Sequence, residues 1–206
     1  MNTVQINETS VTHEELEQEV WKRLEKGALS YKDAMHNPVV ANVNTHGVNM
    51  RTVVLRKVWP VLKQLAFYTD TRSGKWNELA KQNNISWLFY DAENCIQIRL
   101  SGDATLHRND HIVAESWDAT TMNNRKNYSG RERPSSVIEF PLSGLPAAFE
   151  TNDPTPEEST DGRKNFGVVI TKVQWMEWLW LNNNGHRRAT FTYLEDGSFT
   201  ANWLIP

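Results

Sequence analysis

The chain has 206 residues, 39% hydrophobic and 23% charged, which suits one soluble domain with a sizeable core. A formal net charge of −3 argues against a nucleic-acid binder working through a general positive field, and one cysteine, Cys95, excludes an internal disulfide. No apolar run reaches membrane-span length and no signal-peptide core opens the chain, so the expectation is a cytoplasmic protein with no membrane, nucleic-acid or metal partner.

The first eleven residues read as a loose arm. Thr12 to Glu15 then forms the T-x-x-E pattern of a capping box, in which each side chain satisfies an orphan backbone donor. Leu16, Val20 and Leu24 make one apolar stripe, predicting a helix over about 12–27 that stops at Gly27. From Val39 the texture turns to short β-rich runs. PVVANVN and MRTVVLRKV read as two strands with His46–Gly47 as the turn, and QLAFYT as a third. Residues 72–83 predict a helix with Ser73 as N-cap and Trp76, Leu79 and Ala80 on one face. ISWLFYD and CIQIRLSGDATLH continue the β-texture, with Cys95 read as a buried, inert thiol. A helix is expected from Asn109 or Asp110 through Trp117.

Residues 123–165 hold five prolines, many Ser and Asn and the acidic run TPEES; such a segment serves as a lid, contacts a partner or stays disordered. NFGVVITKVQWMEWLWL and ATFTYLEDGSFTANWLIP are strands, the second run folded at Glu195-Asp196-Gly197 into a hairpin. Without βαβ alternation, the fold class is mainly β with flanking helices, in a mostly antiparallel barrel.

Three stretches can carry chemistry. In M-R-T-V-V-L-R, Arg51 and Arg56 sit at the two ends of an apolar run, suiting a phosphate at a strand rim; two surface arginines beside a core strand would read the same. In F-Y-T-D-T-R-S-G-K, hydroxyls end a strand and Arg72 and Lys75 flank a helix start, where backbone N–H groups favour an anion; a solvated cap is the plainer alternative. In N-C-I-Q-I-R-L-S-G, Gln97 stands among apolar residues and needs a partner if buried, a ligand or a backbone group.

In this order and spacing, Arg51-Thr-Val-Val-Leu-Arg56, Phe67-Tyr-Thr-Asp-Thr-Arg-Ser-Gly-Lys75 and Gln97-Ile-Arg-Leu-Ser-Gly102 resemble the pyridoxamine 5′-phosphate oxidase family. That family has R-x-V-L-L-K, F-Y-T-x-x-x-S-R-K and Q-V-R-I-x-G at similar separations. The C-terminal G-H-R-R-A-T-F and N-W-L-I-P are similar to its last strands. The resemblance spans roughly 35–120 and 165–206 and implies a dimeric, FMN-binding antiparallel split β-barrel, 1–206 being one domain.

The resemblance implies that Arg51 and Lys75 hold the FMN phosphate, aided by Arg72 or Ser73. It places Arg56 where the family has a lysine near the flavin, and carries Thr52, Val53, Val54 and Leu55 along as cofactor contacts. Tyr68 and Thr69 would line the isoalloxazine and ribityl region, and Gln97 would reach the ring. Trp178 or Leu179 and Arg187 or Arg188 would complete the site from the second subunit of a homodimer. Trp175, Trp178 and Trp180 also suit core and interface packing.

The departures fall elsewhere. Gly74 replaces a family arginine, the arginine that grips the substrate phosphate is missing beyond Trp117, and G-H-R-R-A-T stands where the family has R-L-H-D-R. The flavin motifs are mostly kept and the vitamin B6 motifs are not. The expectation is therefore a flavin-dependent oxidoreductase for an unnamed small molecule, the alternative being a non-catalytic flavin-binding or sensor protein. No general acid or base is assigned; His186 and Arg187 are candidates for polarising a substrate, against a plain surface role.

Overall fold

The computed structural model describes residues 4–6 and 9–206. The N-terminal segment corrects one expectation. Strands β1 (Val4–Ile6) and β2 (Thr9–Val11) pair antiparallel, with Val4 opposite Val11, where a loose arm was expected; residues 1–3 and 7–8 lie outside the described residues. Helix α1 (His13–Leu29) starts at the Thr12 capping box, in which the Glu15 N–H donates to the Thr12 hydroxyl and the Thr12 N–H to the Glu15 carboxylate. Its stripe of Leu16, Val20, Trp21 and Leu24 is buried.

Then follow β3 (Val39–Asn44), β4 (Gly47–Thr52), β5 (Lys57–Trp59), β6 (Gln64–Asp70), α2 (Gly74–Lys81), β7 (Asn84–Asp91), β8 (Ile96–His107) and α3 (His111–Asp118). Three short helices come next, α4 (Met122–Arg125), α5 (Ala147–Thr151) and α6 (Pro156–Ser159), before β9 (Phe166–Trp180), β10 (Arg187–Tyr193) and β11 (Phe199–Leu204). The main sheet runs β11-β10-β9-β8-β7-β3-β4, and β6 pairs with both β5 and β9. The β3–β4, β3–β7, β5–β6, β7–β8, β9–β10 and β10–β11 pairs are antiparallel.

Local chemistry shifts several boundaries. The β3–β4 turn is Thr45–His46, because Asn44 pairs with Gly47 and Gly47 takes φ +124. The run after Met50 is not one strand: β4 ends at Thr52, and the N–H groups of Val53 and Leu55 donate instead to the carbonyls of Pro38 and His36. Cys95 is half-buried in the turn before β8 at φ +54, outside the apolar run. Segment 123–165 is not featureless, since α5, α6 and two 3₁₀ turns (126–128 and 160–165) lie within it.

The chain divides into two compact units, one of residues 1–67, 83–105 and 170–206, the other of 68–82 and 106–169. The first has its core in Leu55, Phe67, Trp87, Phe89, Met176 and Phe191, all shielded from solvent. The Trp87 indole N–H donates to Thr171 Oγ1 at 3.1 Å, so this buried polar group is satisfied. The second unit is built round Phe166, whose ring meets Tyr68, Trp117 and Tyr128 edge-on at 4.8–5.2 Å. Arg125 covers Trp117 at 4.9 Å and donates from Nε to the carbonyls of Trp117 and Thr120.

Candidate functional site

The start of α2 is the strongest anion site by its own chemistry. Ser73 is its N-cap residue by position, yet its side chain makes no capping bond, and no acidic residue stands in the first turn. By contrast Thr12, Asp110 and Thr155 each cap their helices with a side-chain oxygen. Helix α2 thus keeps backbone N–H groups and the positive end of its dipole for something else. Around it, Lys75 Nζ donates to Thr69 Oγ1 at 3.0 Å, and Thr69 Oγ1 lies 3.3 Å from Ser73 Oγ. Thr71 Oγ1 is buried there and has no hydrogen-bond partner among the described residues. An ammonium, three hydroxyls and open helix N–H groups make a donor set that fits a phosphate.

Arg72 is engaged otherwise. Its Nε and Nη2 donate to the Asp70 carboxylate and its Nη1 to the carbonyls of Gly130 (3.0 Å) and Arg131 (3.1 Å). The Asp70 hydrogen bond raises the guanidinium's pKa further. Arg72 therefore ties the helix start to segment 130–131, beside a cavity of about 300 Å³ also lined by Arg133, Ser135, Ile138 and Leu142. Tyr68 is half-buried, its ring held edge-on to Phe166 at 4.9 Å.

In the other unit the pleat sorts the remaining candidates. Arg51 pairs with Val40, faces inward with it, and donates to the buried side chain of Asn42. Thr52 is exposed, Val53 and Leu55 are buried, Val54 and Arg56 are half-buried, and the Arg56 N–H donates to the Ala66 carbonyl. Gln97 is half-buried on β8 opposite Tyr90, on the outward face of the sheet. Trp178 is only 2% exposed and belongs to the core, whereas its neighbour Leu179 pairs with Arg188 on the outward face. Arg187 Nη1 is bonded to the carbonyls of Gly185 and His186, and His186 is exposed, with Nδ1 accepting from the Asn182 N–H. Between the Trp178/Leu179 and Arg187/Arg188 alternatives, the register brings Leu179 and Arg188 together.

The sequence reading missed two residues, Glu177 and Arg99. Glu177 is 3% exposed by side chain and lies between Arg99 and Arg188. A lone acid in the Trp-rich run Q-W-M-E-W-L-W was the available signal.

Residues 18–108 match the family described as pyridoxamine 5′-phosphate oxidase, FMN-binding domain. Over that stretch, a little under half of the chain, the sequence is similar to that FMN-binding domain. A pyridoxamine 5′-phosphate oxidase-related, FMN-binding protein from Nostoc punctiforme superposes with TM-score 0.72 at 22% identity, covering 92% of this chain and 96% of that one. PhzG from Burkholderia lata, solved with tetrahydrophenazine-1-carboxylic acid, gives 0.69 at 15% identity over 92% and 91%. A Clostridium acetobutylicum protein related to general stress protein 26 gives 0.54 at 15% over 86% and 95%. No curated protein matches the sequence. The fold is that of the pyridoxamine 5′-phosphate oxidase-like split barrels, a mostly antiparallel sheet with flanking helices.

Proposed function

We propose that the protein binds FMN as a homodimer and is a flavin-dependent oxidoreductase acting on a small molecule. The uncapped start of α2, with Lys75, Ser73 and Thr69, carries the reading, because its donors suit the FMN phosphate. Arg51 is a second phosphate contact and Arg56, Tyr68 and the 52–55 backbone are flavin contacts by resemblance. The outward position of Gln97 and Arg188 supports assigning both to the FMN of the partner subunit. When bound, the flavin supplies hydride and electron transfer; the chain supplies binding, orientation and electrostatics. No helix among the described residues is long and apolar enough to cross a membrane, and with a single half-buried cysteine the protein suits the cytoplasm.

The test begins with the visible spectrum of the purified protein. Flavin bands, with FMN released on denaturation, are expected; a colourless protein that takes up no FMN on titration overturns the reading. Turnover of NADH, NADPH or pyridoxamine 5′-phosphate by the yellow protein then identifies the reaction. A protein that holds FMN but reduces it with none of a broad panel of donors is the non-catalytic alternative.

A further inference from the structure

Both oxygens of the buried Glu177 face guanidinium groups. Arg99 Nη1 donates to Oε1 at 3.2 Å, while Arg188 donates to Oε2 through Nε at 2.9 Å and through Nη2. Burying a carboxylate requires one charge partner, and here there are two. The cluster therefore keeps one net positive charge. The Arg99 guanidinium also lies 5.6 Å from the centre of the Trp175 ring, which limits its swing. Among the described residues neither arginine has a further hydrogen-bond partner, so several N–H groups are unspent. Arg99 stands two residues from Gln97 on the same face of β8, and Arg188 is opposite Leu179. Anchored charge with spare donors thus lies beside the outward residues assigned to the flavin.

We propose that Glu177 is a positioning residue for the flavin ring, holding Arg99 and Arg188 so that their positive charge and N–H groups meet the ring of a bound FMN. This rests on the FMN reading above. Reduction adds negative charge to the ring, and a fixed cation next to it favours the reduced form. A preorganised guanidinium does this better than a mobile one, because its orientation is set before the charge arrives.

The experiment measures the midpoint potential of the FMN-loaded protein, using dithionite as reductant against a reference dye. Arg99→Gln and Arg188→Gln are each expected to lower the preference for reduced over oxidised FMN by about tenfold, the weight of one partly screened charge at contact range. Arg188→Lys, which keeps the charge, shifts it less. Glu177→Gln separates positioning from charge. Removing a negative charge alone would raise the potential, whereas releasing the two arginines lowers it, and lowering is the expected result. An unchanged or raised potential in Glu177→Gln, with wild type holding FMN, overturns this inference and leaves the FMN reading intact. Failure of wild type to hold FMN overturns both. Should Glu177→Gln not fold, equal potentials in Arg188→Gln and Arg188→Lys overturn the inference.

Discussion

Lys75 and Arg72 are both cations at the start of α2, but the structure employs them differently. Lys75 Nζ donates to the Thr69 hydroxyl, inside the proposed phosphate cradle. Lys75→Gln should therefore weaken FMN binding by tenfold or more, since a hydrogen bond to a charged group is worth about 1.5–3 kcal/mol. A flavin-fluorescence quenching titration reads this directly. Arg72 is tied to Asp70 and to two carbonyls of segment 130–131, so Arg72→Gln should chiefly lower the melting temperature of the apoprotein. A largely buried cation also holds the first unit together. Lys63 Nζ donates to Glu17 at 2.6 Å, Tyr193 OH donates to the same carboxylate at 2.9 Å, and the Trp21 indole donates to Tyr193 at 2.8 Å. Burial first, then the nearby Glu17 charge, push the Tyr193 phenol upward, so it stays protonated and donates. Lys63→Met leaves Glu17 buried without its cation and should cost about 3–5 kcal/mol in urea unfolding.

At the scale of elements, two glycines report close approaches that periodicity does not reveal. A Cβ on Gly102 of β8 would lie 1.9 Å from the Lys172 carbonyl oxygen, a backbone atom that cannot step aside. On Gly167 it would lie 2.5 Å from the Trp76 ring and 2.7 Å from the Thr71 methyl, which have somewhat more freedom. Strands and helices were legible from alternation and capping: Thr12-x-x-Glu15, Ser73 and Asp110 mark the starts of α1, α2 and α3. The end of β4 was not, because Val53 and Leu55 keep a strand's composition while their N–H groups turn to Pro38 and His36. The cation motifs were legible too, but the division of Arg72 from Lys75 depends on carbonyls some 58 residues away. α1 also carries a pH dependence. His13, its first residue, stacks on Trp203 of β11 at 4.2 Å, and burial lowers its pKa despite the opposing charge of Glu14. As pH falls through the ordinary value of 6.5, the unfolded chain takes the proton before the folded one, so stability falls. Melting curves at pH 7.5 and at about pH 5.5 should differ more for wild type than for His13→Phe.

For the whole molecule, the outward face of the first unit is the surface on which the proposed homodimer can be tested. Register puts Val48 opposite Val43, and Met50, Ala41 and Ser86 in one row, with Leu88 and Tyr90 further along β7 on that face. Val48 and Met50 are each 66% exposed, with Val43, Leu88 and Tyr90 also open to solvent. Large apolar side chains gathered on one sheet face, with Gln97, Arg99 and Arg188 beyond them, have the make-up of an interface with an apolar centre and polar rim. A second copy offers the same face, so a two-fold contact would cover both at once. Met50→Lys and Leu88→Lys together should then shift the protein from dimer to monomer in sedimentation or light scattering. Both side chains lie on the face opposite to that of Arg51, so a site completed by the partner's Gln97 and Arg188 predicts weakened FMN binding in the monomer as well. Full FMN affinity in a monomeric double variant would confine the flavin site to one subunit, and a double variant that remains dimeric would place the interface on another face.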